Sequence, residues 1–298
     1  MFDISPQLDC AGRILKLDRP RVMGIVNVTP DSFSDHGAHF DVDAAVAHGL
    51  RLAEEGADLL DIGGESTRPG ADGIPLEEEL RRVIPVIEQL ARRTTLPISI
   101  DTSKPEVMRA AMAAGAGMIN DVYALRRDGA LDAAAELRVP VVLMHMLGEP
   151  RSMQDAPEYD DVVADVHRFL AERIFAAEMA GIDKKRIVID PGFGFGKTTQ
   201  HNLQLLAQLQ RFTELGVPVM AGLSRKRTIR ELTGQDEMQA RVHGSVAAHL
   251  IAAQRGAMLL RVHDVAATVD ALKIWHAVAS VPTPRTDAKP SIRWPDDE

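Results

Sequence analysis

Cysteine and aromatic residues are both scarce in this 298-residue sequence. Its one cysteine, Cys10, excludes an internal disulfide framework and a zinc site built from cysteines. Aromatic residues make up only 4% of the chain, which disfavours a platform for stacking nucleic-acid bases. The sequence has no apolar run of about 18 residues, and its first residues lack the pattern of a secretory signal. We therefore expect a cytoplasmic protein with no membrane partner.

Positive charge is also in deficit. The chain has 34 Lys and Arg against 43 Asp and Glu, a formal net charge of −9. This balance argues against broad electrostatic binding to nucleic acid or to anionic membranes. Hydrophobic residues at 45% and charged residues at 26% are typical of a soluble globular protein, and the length allows one large domain or two ordinary ones.

Short apolar runs alternate with helical patterns along most of the chain. Runs bounded by Gly or Pro, as buried parallel strands are, occur at 22–28, 58–62, 97–100, 117–119, 140–144, 186–189, 218–222 and 257–262. Helical patterns lie at 42–55, 76–93, 105–114, 160–179, 203–215, 239–255 and 265–278. Eight such strands predict an α/β fold, a (β/α)8 TIM barrel of about 250 residues. A doubly wound open sheet is the alternative, which the strand count and the absence of a linker disfavour.

The domain organisation follows from this pattern. Residues 1–20 are predicted to form a short N-terminal hairpin extension, and residues 21–280 the barrel. Residues 281–298 are rich in Pro and charge, and we interpret them as a flexible C-terminal tail.

Most predicted strands end in a polar or ionisable side chain. In a barrel these ends share one mouth, where active residues gather. The residues at these positions are Asn27, Asp61, Glu65, Asp101, Asn120, Asp121, His145, Asp190, Lys226, Arg261 and His263. Any one of them could instead cap a helix or lie in a solvated loop. We interpret Asp264 as such a cap, and expect Ser103 and Glu106 to form a capping box. The convergence of the others predicts an active site.

A glycine-rich run, PGFGFGKT, follows the sixth barrel strand at 191–198. Pro191 stands where the Walker pattern needs Gly, and the glycine spacing also fails the dinucleotide fingerprint. We interpret the run as a mobile active-site loop, and its three glycines predict that Phe193 and Phe195 are exposed.

Cationic residues follow the last two strands, at 224–227 (SRKR) and 261–263 (RVH). Together with a helix N-terminus they predict an anion site, which barrels often use for phosphate. An ordinary basic surface loop is the alternative. The histidines lack metal-binding spacing, so we expect His145 to be a hydrogen-bonded residue at a strand end, and His243 and His249 to pack or face solvent. A hard cation bridging Asn27 or an Asp to a substrate phosphate stays open.

Two long segments resemble signature loops of the dihydropteroate synthase family: NVTPDSFSD at 27–35 and DIGGESTRPG at 61–70. Shorter matches follow in the family's order, namely IDTS at 100–103, IND at 119–121, MHM at 144–146, DPGFGFGK at 190–197, SRK at 224–226 and RVHDV at 261–265. The resemblance covers essentially the whole predicted barrel.

The resemblance implies a (β/α)8 enzyme of folate synthesis, usually a homodimer that uses Mg²⁺. In that reaction the amine of 4-aminobenzoate displaces diphosphate from (7,8-dihydropterin-6-yl)methyl diphosphate and gives 7,8-dihydropteroate. By motif matching, the pterin would be held by Asp101, Asn120, Asp190 and Lys226. Asn27 would bind the magnesium ion, and the diphosphate-bearing substrate would be bound by Thr67, Arg261 and His263. The loops and the aminobenzoate site would be formed with Phe33, Arg68, Pro69 and Phe193.

Two departures from the family pattern concern the loops. Arg227 stands where a small hydroxyl residue often follows the SRK motif, and His36 with Gly37 follows Asp35 where a second small residue is common. Three rival functions are a pterin-dependent methyltransferase domain, a catalytically silent pterin-binding paralogue, and another phosphate-handling barrel such as an aldolase. The paired cationic segments and the complete loops disfavour the first two. The third would need a Schiff-base lysine at a strand end, for which Lys226 is the only candidate.

Overall fold

The computed structural model describes residues 6–29, 42–67, 72–148, 153 and 157–281. Its centre is a closed barrel of eight parallel strands, preceded by an antiparallel hairpin of two short strands. The strands, in chain order, are β1 Gln7–Cys10, β2 Arg13–Lys16, β3 Arg21–Asn27, β4 Leu59–Gly63, β5 Ile98–Asp101, β6 Met118–Asp121, β7 Val141–Met144, β8 Ile187–Asp190, β9 Val219–Ala221 and β10 Ala257–Val262. The predicted TIM barrel and hairpin are confirmed, and residues 282–298 of the predicted tail lie outside the described residues.

Helices surround the barrel between successive strands, as the right-handed βαβ connection requires. They are α1 Val42–Glu54, α2 Leu76–Arg93, α3 Pro105–Ala114, α4 Ala130–Leu137, α5 Val162–Met179, α6 Thr199–Ala207, α7 Gln210–Thr213, α8 Arg227–Thr233, α9 Val242–Gln254 and α10 Val265–Ala279. The sequence pattern missed α4 and α8. Both are short, and neither has a side-chain cap at its first turn. Among the described residues, no helix is long and apolar enough to cross a membrane.

The hairpin closes the end of the barrel at which the strands begin. Leu8, Cys10, Leu15 and Leu17 are buried with inward-facing side chains of the barrel strands, including Met23. A side chain at Gly117, just before β6, could not fit there, because its Cβ would lie 2.3 Å from the Cys10 carbonyl oxygen. Burial raises the pKa of the Cys10 thiol to about 12, so this cysteine is packing rather than chemistry. The opposite end of the barrel is therefore left as the functional mouth.

Candidate active site

The register of the sheet brings the predicted strand-end residues to one level of the mouth. Asn27 at the end of β3 pairs with Gly63, Gly63 pairs with Asp101 of β5, and Asp101 pairs with Asn120 of β6. Each is at or near the carboxyl end of its strand, because the apolar part of every run fills the barrel and only its last residues reach the mouth.

Arg261 of β10 lies at the centre of this arrangement and holds two carboxylates. Its Nε donates to Asp61 at 2.6 Å, and its Nη2 donates to Asp101 at 2.7 Å. Burial alone would lower the pKa of Arg261, but Asp61 and Asp101 raise it above its ordinary value. The guanidinium is thus a fixed positive charge, and its remaining N–H groups are available to an anion.

Asp61 is the residue whose importance sequence reasoning underestimated. The sequence pattern places it at a strand end without assigning it a role, whereas the structure buries it completely between Arg261 and Asn120. The Asn120 side-chain amide donates to Asp61 Oδ2 at 3.1 Å, and Asp61 Oδ1 has no hydrogen-bond partner among the described residues. An ionisable residue inside an otherwise apolar strand was the available signal. A buried carboxylate oxygen without a partner is a place where a ligand N–H group can bind.

Asp101 is strongly perturbed by its surroundings. Burial raises its pKa to about 7, against the opposing charge of Arg261, and the nearby Asp61 adds to the rise. Such a carboxyl changes its charge near neutral pH, which is typical of functional sites.

Asp190 and Lys226 form a second charged pair facing this cluster. A Cβ at Gly222, on the loop after β9, would lie 3.9 Å from both Asp190 Oδ2 and Lys226 Nζ, and 3.8 Å from Arg261 Cβ, so these three side chains converge. Burial lowers the pKa of Lys226 to about 8 and raises that of Asp190. The ammonium of Lys226 also lies 4.5 Å from the centre of the Phe195 ring.

The glycine-rich turn after β8 is tightly built rather than open. Asp190 Oδ1 accepts from the Gly192 backbone N–H at 2.7 Å, and Lys226 Nζ donates to the Phe193 carbonyl at 2.5 Å. The predicted exposure of Phe193 is wrong, because its ring is 1% exposed and packs in the main core. The glycines are needed for positive backbone φ at Gly192, Gly194 and Gly196, not for exposure.

The predicted anion cluster is divided among several partners. Arg225 pairs with Asp264, and Arg227 donates to Glu231 along the exposed side of α8 at 2.5 Å. Asp264 occupies the N-cap position of α10, as interpreted from sequence, but its carboxylate pairs with Arg225 and makes no side-chain hydrogen bond to the helix. His263 remains at the mouth, where its Nδ1 lies 2.9 Å from the Ser224 hydroxyl. Lys226, Arg261 and His263 are thus the members of the predicted cluster that the structure places at the mouth.

The capping box predicted at Ser103 is also wrong. Helix α3 begins at Pro105, so Lys104 is the residue before it and Ser103 lies too early to cap. Lys104 instead binds Glu65, which follows β4, and donates to Glu79 of α2 at 2.5 Å. This contact ties the segment that leads to Thr67 onto the helical layer. Phe33, Arg68 and Pro69 lie outside the described residues.

The histidines have structural partners. His249 is fully buried and lies 3.2 Å from the backbone N–H of Leu223, which confirms that it packs. His145 follows β7, and its Nδ1 lies 2.8 Å from Lys197 Nζ, which confirms a hydrogen-bonded strand-end histidine. Within the described ranges, no three His, Cys, Asp or Glu side chains group as metal ligands.

Comparison with known proteins identifies the class. Residues 23–263 match the family described as pterin binding enzyme, and the chain belongs to that family. It is 50% identical over 274 residues to a dihydropteroate synthase of Escherichia coli K12, with 92% of this chain and 97% of the relative covered. A structure described as Xanthomonas albilineans dihydropteroate synthase with 4-aminobenzoic acid is 77% identical, with a TM-score of 0.89 over 93% of this chain and all of that one. Another from the same organism, in complex with 7,8-dihydropteroate, is 74% identical over the same shares, with a TM-score of 0.86.

Within the pterin-binding family the chain falls among the dihydropteroate synthases. It is an enzyme, a transferase of folate biosynthesis.

Proposed function

We propose that this transferase joins 4-aminobenzoate to the pterin methyl carbon of (7,8-dihydropterin-6-yl)methyl diphosphate by a dissociative substitution. The observation that carries the proposal is the buried cluster of Asp61, Asp101 and Asn120 around Arg261, facing the Asp190–Lys226 pair. A pterin edge carries N–H donors and ring acceptors, so carboxylates, an amide and an ammonium can bind it by paired hydrogen bonds.

Different residues are proposed to bind the pterin and the diphosphate, according to their charge and hydrogen-bonding groups. Asp101, Asn120, Asp190 and Lys226 are proposed to hold the pterin. Arg261 keeps three of its five N–H groups beyond the two bound to carboxylates, and these with His263 would bind the diphosphate. Thr67, at the end of the anchored segment, is proposed to add a hydroxyl to the same group.

The proposed chemical step needs no protein nucleophile. The bond between the pterin methylene carbon and the diphosphate oxygen breaks, and both electrons leave with the diphosphate. The positive charge left on the pterin is stabilised by the carboxylates of Asp101 and Asp190. The aminobenzoate nitrogen then forms the new bond and gives up a proton. The one cysteine lies at the far end of the barrel, in the hairpin core, consistent with this scheme.

A magnesium ion fits the donor set that is present. Mg²⁺ commonly keeps several waters and binds through a few protein oxygens together with substrate phosphates. Asn27 offers one such oxygen at the mouth level of the sheet. We propose that Asn27 holds Mg²⁺ that arrives with the diphosphate, and the bound ion would neutralise charge on the leaving group.

The aminobenzoate site, the assembly and the location complete the proposal. Phe33, Arg68 and Pro69 are proposed to form the aminobenzoate site when the loops close, which positions the amine and excludes water. Phe193, whose ring packs in the core, is proposed to order the glycine-rich turn beside that site. Arg227 is held by Glu231, so it is not committed to the aminobenzoate carboxylate.

We also propose a homodimer in the cytoplasm; apolar side chains exposed on α9 and α10, including Ile274 at 68%, support self-association.

Diphosphate release from the pterin substrate tests the proposed function. With Mg²⁺, release is expected to depend on 4-aminobenzoate. Both Asp101→Ala and Arg261→Ala are expected to lower kcat/KM by about 100-fold or more, since each removes charge placed for the transition state. Lys273→Ala, an exposed change on α10, serves as the control and is expected to match the wild type.

Two results would count against this scheme. Absence of turnover in folded wild-type enzyme would remove the proposed reaction. A covalent pterinyl-enzyme, trapped with the pterin substrate alone and seen by mass spectrometry, would replace the dissociative step with nucleophilic catalysis.

A further inference from the structure

Lys197 is a buried lysine that has no carboxylate in hydrogen-bond contact among the residues that the structure describes. Its side chain follows the glycine-rich turn and is 3% exposed. Its Nζ lies 2.8 Å from His145 Nδ1 and donates to the carbonyl oxygens of Gly192 and Phe195, each at 2.9 Å, with a longer contact of 3.4 Å to the His145 carbonyl oxygen. These partners are all neutral. Burying an amine among neutral groups is costly, so the arrangement calls for a functional reason.

The acceptors of Lys197 define what it holds in place. The Gly192 and Phe195 carbonyls belong to the turn after β8, and His145 follows the neighbouring β7. The turn presses closely on that strand end, since a Cβ at Gly192 would lie 1.8 Å from the His145 carbonyl oxygen. Lys197 therefore joins the turn to the end of β7 at a point where no larger residue fits.

The other side of the same turn contacts the proposed pterin site. Gly192 donates its backbone N–H to Asp190, and the Phe193 carbonyl accepts from Lys226. The Gly192 N–H belongs to the same residue as a carbonyl held by Lys197, and Phe193 is the next residue along the chain. A shift of the turn would therefore move the hydrogen-bond partners of Asp190 and Lys226 together.

We propose that Lys197 is a positioning residue for pterin binding: it fixes the 192–195 turn, and through that turn the Asp190–Lys226 pair. This inference deepens the proposed function and rests on it. Lys197 does not touch the substrate in this scheme. It acts through the turn, by the hydrogen bonds that it makes there.

The charged and titratable groups around Lys197 are Asp190, Lys226, His145 and His201. Burial lowers the pKa of Lys197 well below its ordinary value, while Asp190 opposes this lowering and Lys226 adds to it. The proposal therefore rests on the hydrogen bonds of Lys197 and not on a fixed charge.

Lys197→Met tests the inference, because methionine keeps an unbranched apolar chain and loses the hydrogen bonds to the turn and to His145. We expect the KM for the pterin diphosphate to rise about tenfold, with the KM for 4-aminobenzoate within twofold of wild type. Isothermal titration with 6-hydroxymethylpterin should show a matching loss of affinity.

Tyr159→Phe is the matched control. It removes a hydrogen bond just beyond the 192–195 turn, that from the Tyr159 hydroxyl to the Gly196 carbonyl at 2.8 Å. Its KM for the pterin diphosphate should stay within twofold of wild type. If Lys197→Met melts below the assay temperature, Lys197→Gln, whose amide keeps only two N–H donors, should raise the pterin KM in the same direction.

Some results would overturn the inference while leaving the proposed function intact. These are unchanged pterin KM and affinity in Lys197→Met, a fall in kcat alone, or an equal rise in the pterin KM of Tyr159→Phe. If the wild type itself shows no turnover, the proposed function fails, and the pterin titration of Lys197→Met still decides the role of this residue.

Discussion

The carboxyl of Asp101 lies against Arg261, with Asp61 near it, and burial raises its pKa to about 7. The free enzyme therefore gains this negative charge only as the pH rises through about 7. If the ionised form stabilises the pterin cation, the acid limb of kcat/KM should lie near that pH. Asp101→Asn should lower kcat/KM at pH 8 by about 100-fold and move the acid limb to lower pH. An acid limb that stays near 7 in this variant would assign it to another group.

The raised pKa of Asp101 also predicts that the free energy of unfolding falls with rising pH, while activity rises. Between the ordinary value of 3.8 and about 7, the folded state binds a proton that the unfolded state has released. This contribution to stability is present at low pH and is lost as the pH rises to about 7. The Tm of Asp101→Asn should therefore gain on the wild type over that range and then stay level, as differential scanning calorimetry can show. A Tm difference that is constant from pH 4 to 8 would contradict the raised pKa.

Individual residues also show where sequence reasoning stops. Asp101, Asn120 and Asp190 could be placed at the mouth from sequence because each ends an apolar run, and the parallel fold gathers such ends. That Arg261 bridges Asp61 and Asp101 could not be predicted, because it depends on the relative levels of β10, β4 and β5 around the closed barrel. The role of Lys197 was hidden for the same reason, since its acceptors include His145, 52 positions away.

At the scale of elements, Lys104 joins three parts of the fold. It precedes α3, and it binds Glu65 after β4 and Glu79 of α2. Glu79 is 1% exposed. Its Oε2 accepts from Lys104, and its Oε1 has no hydrogen-bond partner in the part of the chain that the structure describes. A side chain at Gly64 would meet Val83 of α2 at 2.7 Å, so the segment lies directly on that helix. The sequence pattern predicted α2 and α3 closely. It could not predict the salt bridge from Lys104, just before α3, to Glu79 of α2, because tertiary packing sets that contact.

Lys104→Met should therefore lower the free energy of unfolding, and a second substitution at Glu79 should restore most of the loss. It leaves Glu79 buried without its cation, and breaking a buried pair costs about 3–5 kcal/mol. Adding Glu79→Met should recover most of that loss, whereas the pterin diphosphate KM should stay raised because Glu65 and the segment before Thr67 remain untied. Urea unfolding and steady-state kinetics of the single and double variants measure both effects. Equal stability of Lys104→Met and wild type would show that the contact contributes nothing.

At the scale of the whole molecule, the two ends of the barrel have separate tasks. The hairpin fills the end where the strands begin with apolar side chains, each contributing about 1.5–3 kcal/mol when fully buried. At the other end, Arg225 and Arg261 form ion pairs with Asp264 and Asp61, so these two arginines do not form an open basic surface. The net charge of −9 argues against nucleic acid and anionic membranes as partners, but the anion site is a local feature that composition could not reveal.

Among the described residues, two groups of exposed apolar side chains on helices are candidate contacts between copies of the chain. Ile274 and Val278 on α10 are each 68% exposed, and Ile251 on the adjacent α9 is 39% exposed. Phe175 and Met179 form a smaller face on α5, at 65% and 72% exposure. A stable dimer needs a patch of about 800 Å² on each partner, which two adjacent helices supply more readily than one. We therefore place the proposed dimer contact on α9 and α10.

Light scattering after size exclusion tests this placement. The wild type should have twice the 32.5 kDa mass of one chain. Ile274→Glu with Val278→Glu should shift the protein towards monomer, because two charges in an apolar interface lose their hydration without gaining partners. Phe175→Glu with Met179→Glu, which changes the same number of exposed apolar residues on α5, should leave the dimer intact. The reverse result would move the contact to α5, and a monomeric wild type would remove the dimer altogether. Since the charged residues described at the mouth lie at strand ends and not on the exposed faces of α9 and α10, the monomeric variant should keep its pterin affinity, which separates assembly from catalysis.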